Sequence, residues 1–157
     1  MTARFHNRPG EVIGLFAGSF DPFTIGHMSV LERALPLFDR VVIVVGVNES
    51  KPSATPAEER VDAIRDLTEG MPGVSVMAWS GLTADLAREL GAEYMIRGVR
   101  TAADFEYEYN LATINRTIAG IETVLIPTLP EHAAVSSSVV RELRHFGHDA
   151  SQFLPSK

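Results

Sequence analysis

Gly14-Leu15-Phe16-Ala17-Gly18-Ser19-Phe20-Asp21-Pro22-Phe23-Thr24-Ile25-Gly26-His27 sets the architecture of the chain. The apolar run from Val12 to Ala17 predicts a buried strand that stops at Gly18. A turn rich in Gly, Ser, Asp, Pro and Thr follows, and apolar residues resume at helical spacing with Val30, Leu31, Ala34 and Leu35. A strand that feeds through a glycine turn into a helix aims backbone N–H groups at whatever lies above the strand end, a geometry suited to a phosphate chain. The turn is neither a Walker A loop, which needs Gly-Lys-Ser/Thr, nor the G-x-G-x-x-G dinucleotide turn. Within Thr24-x-Gly26-His27, Gly26 removes bulk where phosphate oxygens would approach, and His27 stands at the helix entrance as a donor to a phosphoryl group.

The rest of the chain repeats the strand-then-helix pattern. The first helix is expected from about His27 to Phe38, with Pro36 forcing a kink or an early stop. Val41 to Val47 is a β-branched run of the kind found in parallel strands covered on both faces. After a loop from Asn48 to Ala54, Thr55-Pro56-Ala57-Glu58 predicts a capping box, and Val61, Ile64 and Leu67 the buried stripe of its helix. Val74 to Trp79 predicts a strand, and Leu82, Leu86 and Leu90 a helix ended by Gly91. Glu93 to Ile96 is the fourth strand, ending at Arg97-Gly98-Val99-Arg100. A helix from about Ala103 to Ala119 is expected to bury Tyr107, Leu111, Ile114 and Ile118. Thr123 to Ile126 is the fifth strand, and a last helix after Ser136-Ser137-Ser138 carries Val139, Val140, Leu143 and Phe146. This alternation predicts an α/β chain: a single Rossmann-like doubly wound domain with a five-stranded parallel sheet.

Length and composition agree with that reading. The 157 residues suit one domain, expected over residues 11–157 behind a frayed leader, residues 1–10. A net charge of −6 argues against non-specific nucleic-acid binding as the main task, while leaving room for a local basic site. The absence of cysteine excludes a disulfide framework and a thiolate metal centre. No apolar run reaches membrane-spanning length and the polar N-terminus MTARFHNRPGE has no signal-like core, so the cytoplasm is the expected location.

In a doubly wound sheet, ligands bind beyond the carboxyl ends of the strands. The chemically useful residues fall there: Ser19 and His27 after the first strand, Lys51 after the second, Arg97 and Arg100 after the fourth, the serine triplet after the fifth. Lys51, one of only two lysines, is expected to face the His27 helix entrance and to neutralise charge developing on a phosphate. Arg97 and Arg100 offer forks for phosphate oxygens. The competing reading is ion pairing with Asp104, Glu106 or Glu108, and phosphate contact is the one preferred. One of the three serines is expected to cap the last helix, with the others offering hydroxyls and N–H groups to phosphates. His6, His132, His145 and His148 lack metal-ligand spacing and read as surface residues.

Thr24-x-Gly26-His27, preceded by a strand and Gly-Ser-Phe-Asp-Pro, resembles the (H/T)-x-G-H signature of the nucleotidyltransferase superfamily. Within it the chain resembles the bacterial phosphopantetheine adenylyltransferases. The likeness rests on Glu58-Glu59-Arg60, on Ile96-Arg97-Gly98-Val99-Arg100 where the family carries I-R-G-L-R, on Ala103-Asp104-Phe105-Glu106-Tyr107-Glu108, and on the serine triplet. It extends from about Ile13 to Pro155.

The resemblance implies transfer of AMP from ATP to 4′-phosphopantetheine, giving dephospho-coenzyme A and pyrophosphate, with His27, Lys51 and Ser19 as catalytic residues. Ser19 stands where family members usually carry Thr. It implies acceptor contacts from Ser19, Lys51, Thr83 and Arg97. ATP contacts are implied from Ser19, Phe20, His27, Gly98, Val99, Arg100 and Glu108. They extend to His132-Ala133-Ala134-Val135-Ser136-Ser137-Ser138, where His132 replaces the family's aromatic residue. It further implies Mg2+ held mainly by the ATP phosphates and a homohexamer, while charge and the lack of a spanning run lead to the expectation of neither nucleic acid nor membrane as partner. The alternatives are a sister transferase acting on nicotinamide mononucleotide or transferring a cytidylyl group, and a nucleotide-binding module without catalysis.

Overall fold

Val41-Val42-Ile43-Val44-Val45 is apolar on both faces of any strand it forms, so it is satisfied only when both faces are covered. The computed structural model, which describes residues 10–157, places all five of these side chains in the interior of strand β2 (Arg40–Gly46). The expected leader, apart from Gly10, lies outside the described residues. Strand β1 (Ile13–Gly18) runs parallel to β2 on one side and to β4 (Tyr94–Val99) on the other. Strands β3 (Val74–Trp79) and β5 (Glu122–Pro127) complete a five-stranded parallel sheet in the order β3-β2-β1-β4-β5. The chain therefore walks outward from β1 in one direction, returns, and walks outward in the other. The crevice this reversal opens lies between the ends of β1 and β4.

Strand alternation sends side chains to two cores. Phe16, Val41, Ile43, Val45 and Ile96 pack with Val30 and Leu31 of helix α1 (Ile25–Ala34) and Val61 and Ile64 of helix α2 (Ala57–Thr68). Leu15, Ala17, Val42, Val44 and Met95 pack on the opposite face with Ala84, Leu86 and Ala87 of helix α3 (Thr83–Leu90). Helix α4 (Ala102–Ala119) and helix α5 (Ser137–His145) follow β4 and β5. Gly91, left-handed at φ 67°, closes α3 as expected. Pro36 ends α1 early: the helix stops at Ala34 and a single 3-10 turn, Leu35–Leu37, takes its place.

Several local expectations are corrected. The capping box expected at Thr55 does not form; Pro56 itself is the cap residue, extended at ψ 146°, and no side chain caps α2. Thr55 thus lies one residue too early, with its carbonyl taken by Arg60 Nε at 2.9 Å. The second correction concerns α4, where Tyr107, Ile114 and Ile118 are exposed rather than buried and Leu111 is half-buried. The residues turned inward are Glu108, Leu111, Ala112, Asn115 and Ala119, a narrow stripe at helical spacing made largely of small or polar side chains. The bulky apolar residues fall outside it. On α5, Val140 is buried but Val139 and Phe146 are exposed. Leu82, expected to line α3, is exposed at that helix's N-cap.

Candidate active site

The turn after β1 is built around His27. Thr24 caps α1: its Oγ1 accepts the His27 N–H at 3.4 Å, and the Thr24 N–H donates to His27 Nδ1 at 2.9 Å. The capping box expected on α2 is therefore found on α1, with histidine where glutamate is usual. Because Nδ1 accepts a backbone N–H, the proton of the neutral ring is carried by Nε2. Phe20, Phe23 and Phe16 surround the ring with centroids at 5.0, 5.3 and 6.5 Å. The ring is half-buried, walled by these aromatics and otherwise facing a cavity. Burial, with further contributions from the Arg100 and Arg97 charges, lowers its pKa from 6.5 to about 4. At neutral pH His27 is an uncharged Nε2–H donor held in one orientation.

Two cavities meet at this turn. The first, of about 430 Å³, is lined by Gly26, His27, Gly98, Arg100 and the Ser136-Ser137-Ser138 start of α5. The second, of about 610 Å³, is lined by Asn48, Lys51, Trp79, Gly81 and Thr83. Ala17, Gly18, Ser19, Arg97 and Arg141 border both. Gly26 has room for a Cβ, whose nearest neighbour would be Thr24 Oγ1 at 3.5 Å, so packing within the chain does not demand a glycine there.

Most residues singled out in the sequence reach these cavities. Ser19, Phe20, His27, Gly98, Arg100, Glu108, Val135 and the three serines line the first, and Lys51 and Thr83 the second. Lys51 is exposed and lines the second cavity while His27 lines the first, and Ser19 borders both. Val99, His132, Ala133 and Ala134 line neither cavity. Val99 uses its carbonyl to accept the Thr128 N–H, and His132 lies in a 3-10 turn behind Gly26, half-buried rather than on the open surface.

Both arginines make the ion pairs of the competing reading while still lining the first cavity. Arg97 makes a bidentate pair with Glu108, Nε to Oε2 at 2.9 Å and Nη2 to Oε1 at 2.8 Å, while its Nη1 donates to the Ala17 carbonyl. The Glu108 side chain is 7% exposed, and a carboxylate so buried needs a counter-charge, which the end of β4 supplies. Arg100 pairs with Asp104 at 3.4 Å and also donates to the Val135 carbonyl. Ser136 provides the expected cap of α5, accepting the Val139 N–H at 3.2 Å, and Ser137 Oγ donates to the Pro22 carbonyl at 2.7 Å.

Two arginines were given no role in the sequence reading. Arg141 donates to the Asp21 carbonyl at 2.7 Å and to Ser138 Oγ at 3.2 Å, and borders both cavities. Its position three residues beyond Ser138 on one helix could have revealed it. Arg60, buried inside α2, donates to the carbonyls of Ser19, Gly46 and Thr55. The cavities thus collect Arg97, Arg100, Arg141 and Lys51 in a chain whose net charge is −6. Among the described residues no cluster of His, Asp and Glu is arranged to hold a metal ion.

This geometry has known relatives. A family model described as cytidylyltransferase-like matches residues 15–143. Phosphopantetheine adenylyltransferase of Bacteroides thetaiotaomicron is 50% identical over 141 residues, covering 90% of this chain and 93% of that protein. The same enzyme of Phocaeicola vulgatus is 52% identical with the same coverage, and that of Porphyromonas gingivalis 49% identical over 91% of this chain and 94% of its own.

The chain belongs to the phosphopantetheine adenylyltransferase family. The fold of this family member is shared more widely. A bifunctional NMN adenylyltransferase/ADP ribose pyrophosphatase from Francisella tularensis, solved with AMP and a Mn ion, superposes with a TM-score of 0.71 at 14% identity. The match covers 94% of this chain and 45% of that longer protein, and it concerns the fold alone.

Proposed function

We propose that the chain transfers AMP from ATP to 4′-phosphopantetheine, releasing pyrophosphate and forming dephospho-coenzyme A. Beside family membership, the observation that carries this reading is the meeting of two cavities at Ser19, with a neutral histidine donor on one side and a lysine on the other. The first cavity takes ATP, with its phosphates against Arg100 and the start of α5; the second takes the pantetheine arm along Thr83 and Lys51. The acceptor phosphate attacks the α-phosphorus in line. One P–O bond forms, the bond to the β-phosphate bridging oxygen breaks, and the electron pair leaves with pyrophosphate. No covalent enzyme intermediate is required, so catalysis is positioning and charge stabilisation.

His27 donates its Nε2–H to the α-phosphate as charge builds there. With its pKa lowered to about 4 the ring is neutral at working pH, so it acts as a hydrogen-bond donor and not as a charged general acid. Ser19 holds the two phosphates together at the boundary, and Lys51 neutralises the acceptor side. Arg97, oriented by Glu108, serves both cavities. Glu108, which lines the ATP cavity, orients that arginine with both oxygens and keeps a lone pair on each for an ATP donor. Val99 and residues 132–134 belong to the ATP side through their flanking positions on β4 and before α5.

Mg2+ would arrive with the triphosphate and supply charge neutralisation there. The two carboxylates of the first cavity, Asp104 and Glu108, are paired with arginines, and among the described residues no donor set is arranged to hold the ion without the phosphates. We further assign a cytoplasmic, single-domain homohexamer that binds neither nucleic acid nor membrane. The exposed Phe105, Tyr109, Ile114 and Ile118 of α4 support self-association, and no helix of the described residues is long and apolar enough to cross a membrane.

The deciding experiment is pyrophosphate release from Mg-ATP with 4′-phosphopantetheine and nicotinamide mononucleotide as parallel acceptors. Release with phosphopantetheine alone is expected. Release with the mononucleotide alone would overturn the acceptor assignment, and silence with both despite ATP binding would overturn catalysis.

A further inference from the structure

Arg60 is 5% exposed, and among the described residues no carboxylate lies within ion-pair distance of its guanidinium. A buried cation without a counter-charge is costly, and core packing alone would be served by an apolar side chain. Its recorded hydrogen bonds all go to main-chain carbonyls, and those carbonyls have a pattern. Gly46 ends β2 and Thr55 precedes α2, so they bracket the loop that carries Lys51. The third carbonyl is that of Ser19. One side chain therefore clasps both ends of the Lys51 loop and ties them to the turn after β1.

Little else holds that loop. Residues 48–54 are all exposed, and their recorded hydrogen bonds are internal: Ser50 to Asn48 Oδ1, and the Lys51 N–H to the Asn48 carbonyl. The ends have two further ties, the Val47 N–H to the Trp79 carbonyl and the Thr55 N–H to Asp21 Oδ2. Neither tie connects one end to the other, and neither reaches Ser19.

We propose that Arg60 is a positioning residue for the acceptor: it fixes the Lys51 loop against Ser19, so that ammonium and hydroxyl converge on one phosphate. Its own charge lies behind the second cavity, and the anionic substrate completes the electrostatic balance. The proposal rests on the assignment of the second cavity to phosphopantetheine.

The test uses Arg60→Lys, which keeps the charge but cannot span three carbonyls, together with Arg60→Gln. Turnover of phosphopantetheine by the wild-type chain is measured first, because its absence would refute the cavity assignment and not the role of Arg60. In the variants kcat/KM for phosphopantetheine should fall about 10- to 100-fold, the range expected for lost hydrogen bonds to a charged donor, through kcat as well as KM, with the KM for ATP within about threefold. Hydrogen exchange should accelerate at amides 47–55 while those of β1 and β2 keep their protection. If one variant does not fold, the other decides. A KM for ATP that rises as far as kcat/KM for phosphopantetheine falls, no fall in that ratio, or unchanged exchange at 47–55 would overturn the proposal.

Discussion

His27 performs two separable tasks through its two nitrogens, and that separation makes a sharp test. Nδ1 accepts the Thr24 N–H and completes the cap of α1; Nε2–H faces the first cavity. In His27→Asn, Oδ1 can occupy the place of Nδ1, but the side chain ends short of Nε2. The cap survives and the donor is lost. Removing one preorganised donor from a developing oxyanion costs about 10²- to 10³-fold in kcat, or roughly 3–4 kcal/mol. The KM for ATP should stay within about threefold, because Arg100 and the α5 serines are untouched.

His27→Gln, whose amide nitrogen reaches the Nε2 position, should recover part of the loss. The pH dependence follows from the lowered pKa. His27 is neutral well above about 4, so it contributes no inflection to kcat between pH 6 and 8. Stability moves with the same group. The native state favours the neutral ring, so its contribution is complete above pH 6.5 and is lost as pH falls toward 4. The shift is worth at most about 3 kcal/mol, an upper bound for a ring with one face open to the cavity. Pyrophosphate release gives kcat, and urea unfolding at pH 7 and 4.5 gives the stability difference, which His27→Asn should diminish. A variant with wild-type kcat would refute the donor role. So would a wild-type inflection near pH 6.5 that vanishes in His27→Asn, since it would show the charged ring at work.

Three further outcomes are expected. Trp79 is the sole tryptophan and lines the second cavity, so phosphopantetheine should change its fluorescence while ATP alone leaves it nearly constant; the opposite pattern would exchange the two cavity assignments. Arg141→Ala should fold normally and lose about 10- to 100-fold in kcat by removing a charge at the boundary of both cavities, and wild-type turnover would place Arg141 outside the reaction. Gly14→Ala would put a Cβ 2.7 Å from Ile96 Cδ1 and 3.0 Å from the Phe38 ring, so thermal unfolding should show a loss of about 1–3 kcal/mol; an unchanged midpoint would mean that the core yields at no cost.

The fold was legible because its signals are local. A β-branched run such as Val41–Val45 has only one comfortable environment, and glycines such as Gly91 end helices by conformation alone. Convergence of Ser19, Lys51, Arg97 and the α5 serines followed from strand topology, which fixes the edge on which strand-end residues gather. Orientation was less legible. Helical spacing on α4 identified an apolar face but not which face the sheet would take, and the chain turned Glu108 inward where Tyr107 was expected. The ion pairs of Arg97 and Arg100 were readable only as a competing possibility, because residue identity does not say which of Asp104, Glu106 and Glu108 the step from β4 into α4 brings to which arginine. Arg60 was visible as part of a motif, yet its partners are carbonyls, and carbonyls leave no trace in residue identity.

An acidic chain that handles two polyanions needs its cations where the phosphates meet and its carboxylates silenced nearby. Both conditions are met, and by different means. The cations come from separate elements: Lys51 from the loop after β2, Arg97 and Arg100 from the end of β4, Arg141 from α5. Of the carboxylates that line the cavities, Glu108 and Asp104 are each bound to one of those arginines, which aims the guanidinium as well as neutralising the acid, and buried Asp21 accepts the Thr55 N–H. Pairing reduces the net charge of Arg97 and Arg100, so Arg141 and Lys51, which have no recorded carboxylate partner among the described residues, carry most of the attraction for phosphate. Long-range steering by an overall negative body is unfavourable, and binding must then rely on short-range contacts made inside the crevice. For such a site, precision of placement decides the rate more than total charge does, because a phosphate misplaced by about 1 Å can cost on the order of 10²-fold. A guanidinium that clasps the Lys51 loop to Ser19 therefore acts on the quantity to which this chemistry is most sensitive.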